Sequence, residues 1–521
     1  MDSPKPISAP ARMGAGLAAA ATSLGVTQLA AAVVGPASDA RNAVGTAVVN
    51  LTPGPVKEWA IQTFGTSDKT FLTINVLVVI CALAAVTALW ERSRRLCTLT
   101  LLAAGIAGCV AVLVQTGARP FDVIPTVLGT AAGVAALWVL TRESAVAPAV
   151  PTDTESAGVE SAGAQPDPAR RRSLLTLGLL GLGAASGAGG LLLGRRLHSV
   201  SGERESLALP RVAQPAPPIP PDVQPSGVSL PSFITSNADF YRIDTALTAP
   251  QVSRSDWKLR IHGMVDREIT YSFEDLKRFQ PLEKAVTLMC VSNPVGGDLI
   301  SNAMWTGYRM RDLLKDAGVH SDADMVLSMS VDGFTIGTPV EALTDDRDAM
   351  LAIGMNGEPL PVEHGYPARM VVPGLYGFVS ATKWVVDLEL TRFDKAEAYW
   401  SRLGWSAQAP IKTGSRIDVP RKGQRIAAGR TAVGGVAWAQ HRGIKAVEVR
   451  IDDGPWQPAQ LGAAYSNDTW RLWTYDWQAT PGTHTITVRA TDNTGAVQTG
   501  ELASPMPDGA TGWPSKSVEV G

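Results

Sequence analysis

Several things are scarce in this 521-residue chain, and each scarcity removes a class of function. Charge of one sign is missing. The 46 Lys and Arg stand against 48 Asp and Glu, and a net charge of -2 argues against a nucleic-acid partner, whose phosphates select basic surfaces. Cysteine is scarce too: Cys81, Cys97 and Cys109 lie in or beside apolar runs, and beyond them the only cysteine is Cys290. The later part of the chain therefore has no second thiol for an internal disulfide. Histidine is absent from every long apolar run, since the six are His198, His262, His320, His364, His441 and His484. Imidazole is the usual axial ligand of membrane haem, so no haem is expected here. Charged residues, 18% overall, thin out in the first 200 positions, where the apolar excess collects. The chain divides into a membrane half and a soluble half.

What is present follows that division. Runs 13–35, 71–90, 99–116 and 123–140 are apolar and close to the roughly 20 residues that a bilayer core requires. A fifth covers 174–194. The first run is rich in Ala and Gly and follows Lys5 and Arg12, as a secretory signal would, but the spans behind it favour an integral bundle. Short cytoplasmic loops are enriched in Lys and Arg. Lys5 and Arg12, then Arg92, Arg94 and Arg95, then Arg170, Arg171 and Arg172 all fall on one side if every span crosses once. The reading is a multi-pass protein of the cell membrane with a cytoplasmic N-terminus and everything after the fifth span outside. Arg195 and Arg196 run against it. The Arg170–Arg172 run before a Gly/Leu span also fits an internal twin-arginine export signal, a route for domains that fold around a cofactor before crossing; an ordinary positive-inside anchor fits it equally. The expected map is a four-span region over 1–142, a cytoplasmic linker over 143–172, a fifth span over 173–194 and a Pro-rich tether over 195–231.

From residue 232 the pattern is that of a mixed globular domain, expected to run to 405. Its centre is AVTLMCVSNPVGGDLISNAMWTGYRMRDLL over 285–314, where an apolar strand, 286–289, delivers Cys290 to a loop of Ser292, Asn293, Pro294, Gly296 and Gly297. A helix is expected to resume near Arg309. A thiolate in such a loop can hold a soft metal, and a buried structural cysteine is the plainer alternative. Further on, Asp332-Gly333-Phe334-Thr335 reads as a turn between strands and Asn356-Gly357-Glu358 as a hairpin turn.

The chain carries, in order, Tyr241-Arg242, a cysteine at the end of a strand, MNGEPLP over 355–361, HGYPARMVVPG over 364–374 and KWV from Lys383. Together these resemble the sulfite oxidase family of molybdopterin enzymes. The resemblance implies that Cys290 is the thiolate bound to molybdenum beside a pterin dithiolene. It further implies that Tyr241, Arg242, His364, Arg369 and Lys383 surround the pterin and its phosphate, with Arg242 also reaching the reacting centre. The chemistry suits the residues: molybdenum prefers sulfur, and a phosphate is well met by Arg forks or a Lys point charge.

One departure concerns the substrate. Sulfite-oxidising members carry two arginines after the loop Asn, whereas here Pro294 and Val295 follow Asn293. Neither Tyr399 nor its neighbours Trp400 and Trp405 match the spacing of the family's tyrosine near the reacting oxygen. The last part, 406–521, alternates as strands at Val447, Val449 and Ile451 and again at Ile486, Val488 and Ala490, with Trp456, Trp470, Trp473 and Trp477 as bulk for a small sandwich. It is similar to the family's immunoglobulin-like dimerisation domain, which implies a homodimer. Arg471, between two tryptophans, is a candidate to reach the site from there, with a stacking or surface role as the favoured alternative. The expected whole is a helical transmembrane bundle, a mixed α+β molybdopterin domain and an all-β sandwich. The expected function is two-electron oxygen-atom transfer at a small sulfur-containing substrate, with a separate electron-transfer partner. Reduction of a sulfoxide on the same fold, or a cofactor-free membrane scaffold, are the alternatives.

Overall fold

The structure is a computed structural model that describes residues 7–64, 68–90, 95–142, 168–421 and 423–521. Lys5, Arg92, Arg94 and most of the expected linker, 143–167, lie outside the described residues. The chain forms two compact units, one from Met1–Thr52 with Ser67–Ser199, the other from Pro53–Thr66 with Val200–Gly521.

The first unit is helical: α1 (Ala9–Val34), α2 (Ala40–Leu51), α4 (Asp68–Trp90), α5 (Arg95–Leu113), α6 (Ile124–Thr141) and α7 (Pro168–His198), while α3 (Gly54–Phe64) falls in the second unit. Among the described residues five helical stretches are long and apolar enough to cross a membrane: Ala9–Val34, Phe71–Trp90, Arg95–Leu113, Pro120–Thr141 and Ala169–Ser206. The run that resembles a secretory signal is the helix against which α4, α6 and α7 pack. Its composition explains this. Lipid tails give no hydrophobic drive between helices, so close backbone approach through small residues has to supply the contact. A Cβ at Gly183 of α7 would stand 2.6 Å from the Ala21 backbone, one at Gly190 would stand 2.6 Å from that of Gln28, and one at Gly133 of α6 would stand 2.7 Å from Ser23. Ala15, Ala18 and Ala19 of α1 are buried in the same seam.

The second unit contains two sheets and a sandwich. One sheet has the order β2-β1-β10-β5-β6, from Ile269–Ser272, Lys258–Gly263, Val385–Thr391, Met325–Ser330 and Thr335–Pro339. The other sets β3 (Pro281–Met289) beside β4 (Ile300–Arg309) and then β7 (Met350–Met355), which also pairs β8 (Glu358–Pro359) and β9 (Arg369–Val371). The hairpin turn between β7 and β8 has Asn356 and Gly357 both at positive φ, 53° and 81°, as a two-residue turn of that hand requires. Helix α9 (Met310–Ala317) follows β4 and buries Met310, Leu313, Leu314 and Ala317 on one face.

The all-β part packs a four-stranded sheet, β11-β13-β17-β16, with a five-stranded one, β12-β19-β18-β14-β15. Of these, β11 is Gly414–Val419, β12 Arg425–Ile426, β13 Gly429–Trp438, β14 Ile444–Ile451, β15 Gln457–Pro458, β16 Gln460–Leu461, β17 Arg471–Ala479, β18 Gly482–Asp492 and β19 Ser515–Val520. Val433, Val449, Trp473, Ile486 and Val488 fill its core. Two of the expected core tryptophans lie elsewhere. Trp456 stands edge-on to Trp513, ring centroids 5.1 Å apart, and Trp470 belongs to the core of the α+β part, where its indole N–H donates to the Phe233 carbonyl at 2.9 Å.

The Pro-rich segment read as a tether does not hang free. The Ala213 N–H donates to Pro281 O, the Glu283 N–H to Gln214 O, and Val223 is buried. Proline leaves few donors of its own, and the donors that remain pair with a strand edge.

The glycine seam makes a prediction. Gly183→Val should lower the stability of the purified protein in detergent by about 1–3 kcal/mol, since the new side chain meets backbone. Gly178→Ala, where no atom lies within 4 Å of the added Cβ, should leave the melting curve unchanged.

Candidate functional site

The site grows from the end of β3. Val286, Leu288 and Met289 are buried, and the strand pairs with β4 through Met289 opposite Ile300, so the chain leaves the sheet at Cys290 and returns ten residues later. Three hydrogen bonds close the neck of this loop. The Cys290 N–H donates to Leu299 O at 3.0 Å, the Asn293 N–H to Cys290 O at 3.1 Å, and the Leu299 N–H to Asn293 Oδ1 at 2.9 Å. Gly296, at φ 72°, turns the tip. Asn293 is 1% exposed, and its Nδ2 has no hydrogen-bond partner among the described residues. An unpaired buried donor costs about 1–3 kcal/mol.

The other expected residues come from three further segments. Tyr241 comes from the stretch before β1; its N–H donates to Ser301 Oγ on β4 at 3.1 Å, and its ring stacks on Phe240. Burial, then the Cys290 thiolate, push the Tyr241 phenol far above its ordinary range, while Arg369 pulls it down. Tyr241 thus lies within the influence of both the thiol and Arg369.

His364 is buried, with Nε2 3.1 Å from the Asn237 carbonyl and its ring edge-on to Phe240. Burial, then the charges of Arg369 and Lys383, depress its pKa to about 3, with Arg242 adding to the effect. The imidazole is therefore neutral, and the Asn237 carbonyl requires that Nε2 carry the proton.

Arg369 opens β9, and its guanidinium lies over the buried Trp305 ring at 5.0 Å. It donates to the carbonyl of His364 at 3.1 Å, and burial lowers its pKa to about 10. Lys383 pairs with Arg369 through a backbone bridge. Gly365, at φ 111°, lets the two approach, since a Cβ there would stand 3.0 Å from that of Arg369 and 3.2 Å from that of Lys383.

Asp244, which the sequence reading passed over, organises the basic groups. Its Oδ2 accepts from Arg242 Nε at 3.0 Å and from Lys383 Nζ at 2.8 Å, and its side chain is 4% exposed. Its only local signal was a spacing of two from Arg242. Three cations and a neutral imidazole around one carboxylate leave the site with positive charge in excess, which suits an anion such as a phosphate. Tyr376 was also missed. It is fully buried, and burial pushes its phenol up to about 12, with Cys290 among the lesser influences. Among the described residues no group of three or more His, Cys, Asp or Glu side chains is placed to hold a metal.

Arg471 is not at the site. Its guanidinium donates to Gly462 O at 2.9 Å and Ile444 O at 2.8 Å, bonds that fix it within the sandwich. Arg416 on β11 is the sandwich arginine that reaches the loop, with its guanidinium 3.4 Å from Gly297 O and Nε on Asp418 at 2.8 Å. Tyr399 and Trp400 face Lys57 of α3, whose ammonium donates to the Tyr399 hydroxyl at 2.5 Å.

A strand-borne thiol beside a buried basic cluster, on these two sheets, defines a molybdopterin-binding oxidoreductase domain, and comparison with known proteins agrees. Residues 246–400 match the family described as oxidoreductase molybdopterin binding domain, and 415–488 match the bacterial Ig domain. The chain is 32% identical over 187 residues to the uncharacterized oxidoreductase YuiH of Bacillus subtilis, covering 36% of this chain and 85% of that one. It is 27% identical over 289 residues to mitochondrial sulfite oxidase of Homo sapiens, covering 46% of this chain and 52% of that one. The chain thus spans about half the length of the sulfite oxidases it matches. Among solved structures, the sulfane dehydrogenase SoxCD of Paracoccus pantotrophus matches with a TM-score of 0.49 at 24% identity, over 56% of this chain and 85% of that one. The chain belongs to the sulfite oxidase family of molybdopterin-dependent oxidoreductases.

The depressed pKa of His364 sets a pH dependence. The unfolded chain takes up this proton below about pH 6.5 and the folded one only near pH 3, so the contribution is present above pH 6.5 and is lost as pH falls through that window. Denaturant melts of His364→Gln between pH 7 and about 4 should show a shallower loss of stability than wild type. Parallel curves for the two proteins would contradict the buried neutral imidazole.

Proposed function

We propose that this chain is a membrane-anchored molybdopterin oxidoreductase that transfers an oxygen atom, with two electrons, to or from a small sulfur-containing substrate. The observation that carries the reading is the clustering of Arg242, His364, Arg369 and Lys383, joined to Cys290 through Tyr241, six residues from four separate segments. The residues fit the group. Cys290 gives a thiolate for a sulfur-preferring metal, the cations suit a pterin phosphate, and the unpaired Nδ2 of Asn293 is a donor in want of an acceptor. Bound there, molybdopterin supplies the two-electron chemistry. The chain's residues anchor and orient it. Asp244 holds Arg242 and Lys383 in place; neutral His364, its one N–H given to the Asn237 carbonyl, offers Nδ1 as an acceptor without adding charge; Arg369, fixed by carbonyls, lends a buried positive field.

Pro294 and Val295 bear on the substrate. Where relatives that oxidise a dianion are expected to place cations, this loop places two apolar side chains, and Val295 packs toward Gly512 of the sandwich. That favours a substrate of lower charge, and a sulfoxide reduced on the same site is the second reading. Electrons pass to a separate partner. The catalytic residues, 232–405, face the outside of the membrane by the distribution of Arg95 and Arg170–Arg172, and 406–521 pair two copies as a homodimer.

Metal analysis tests the proposal. Protein made in a host that supplies the cofactor should carry close to one molybdenum per chain, and Cys290→Ser should lose the metal while keeping its circular dichroism spectrum. Wild-type protein without molybdenum would overturn the reading. Turnover with artificial donors against artificial acceptors assigns the direction, and bleaching of the visible spectrum by sulfite would favour the dianion.

A further inference from the structure

The neck of the Cys290 loop contains more than the closing of a turn requires. Asn293 uses its N–H and its Oδ1 to tie Cys290 to Leu299. The Leu299 N–H, a natural partner for a carbonyl across the neck, is given to the Asn293 side chain. Gly297 crowds that side chain, since a Cβ there would stand 2.5 Å from Asn293 Oδ1, so the amide has little freedom to turn. On the outside the loop is covered by the sandwich. A Cβ at Gly296 would stand 3.1 Å from Pro514, one at Gly512 would stand 3.4 Å from Val295, and Arg416 reaches Gly297 O. Asn293 Nδ2 therefore cannot satisfy itself in solvent: it is buried, fixed in orientation and without an acceptor. Asn293 is three residues from the thiol and shares two of the three neck bonds, which ties its side chain to the loop that presents Cys290.

We propose that Asn293 is a positioning residue whose Oδ1 fixes the loop that presents the Cys290 thiolate and whose Nδ2 donates to an acceptor atom of the group that this thiolate holds. The proposal rests on the molybdopterin reading above and adds a residue to it. Asn is suited to both tasks because its amide accepts on one side and donates on the other. Asp keeps the acceptor for the Leu299 N–H and removes the donor, which separates the two.

The experiment compares wild type, Asn293→Asp and Gly297→Ala, each made with and without a supply of cofactor. Asn293→Asp should hold several-fold less molybdenum per chain than wild type, and the fraction that retains it should show a displaced visible thiolate-to-metal band. Gly297→Ala leaves the amide intact but displaces it, and should change the band in the same way. It serves also if Asn293→Asp fails to fold. Melting curves of the cofactor-free forms give the second readout. Wild type should gain thermal stability from the cofactor, and the folded variants should gain distinctly less. Full molybdenum content with an unmoved band and an equal gain in both variants would overturn the role of Asn293 while leaving the molybdopterin reading intact. Wild-type protein that takes up no molybdenum would overturn both.

Discussion

Strand β3 is the edge of its sheet, and the closing of that edge is what the rest of the second unit depends on. An unpaired edge presents a row of N–H and C=O groups that will bind whatever strand arrives. Here two remote segments occupy it. Near Pro281 and Glu283 the Pro-rich stretch lies alongside, through Ala213 and Gln214. Near Thr287 the sandwich takes over: the Thr287 N–H donates to Asp468 O, its carbonyl accepts from Gln440 Nε2, and its hydroxyl accepts from the Trp470 N–H. Both stop just short of Cys290. The strand is clamped on both sides up to the residue at which it delivers the thiol, so the thiol inherits its position from bonds to segments remote in the chain, as far as 183 residues away.

The same dependence explains why the sandwich is packed into the α+β core and not merely joined to it. Trp470, Leu472, Val436 and Trp438 share a hydrophobic cluster with strands of the α+β part, while Trp473 and Trp477, from the same strand β17, fill the sandwich's own core. A β-strand sends alternate side chains to opposite faces, so β17 can serve two cores at once. Arg471 is drawn to the carbonyls of Gly462 and Ile444, and Arg416, two strands away in the same sheet, is left to meet the Cys290 loop.

Local pattern made much of this legible. The alternation of Val447, Val449 and Ile451, the Asn356-Gly357 turn and the strand ending at Met289 depend on neighbours within a few residues, and the structure has each of them. The five apolar runs were equally plain, because bilayer length is a property of composition. What could not be read is non-local. Asp244 carries no signal beyond its closeness to Arg242, yet it holds Lys383 from 139 residues away. A proline-rich segment reads as a spacer unless its few amides are known to meet a strand edge. Trp470 and Trp473 look alike in sequence and lie in different cores. For the site, the resemblance supplied which residues to bring together, and the structure supplied how they are held.

The electrostatics of the site follow from that holding. Arg369 has no carboxylate among its hydrogen-bond partners; its guanidinium is fixed by carbonyls and an aromatic face. A buried cation satisfied in this way keeps its hydrogen bonds but not its neutrality, and its field falls on whatever lies nearest, which is why the Tyr241 phenol and the His364 imidazole both respond to it. Asp244, in contrast, is committed to Arg242 and Lys383 together, so one acid offsets one of two cations. Had each cation carried its own carboxylate, the place would be a closed ion-pair network, complete without a ligand. As arranged, the hydrogen-bond partners of Arg369 among the described residues are all carbonyls, and Asn293 Nδ2 has no acceptor among them. An anionic, acceptor-rich group that binds through sulfur would answer both, which is the physical basis of the molybdopterin site proposed above.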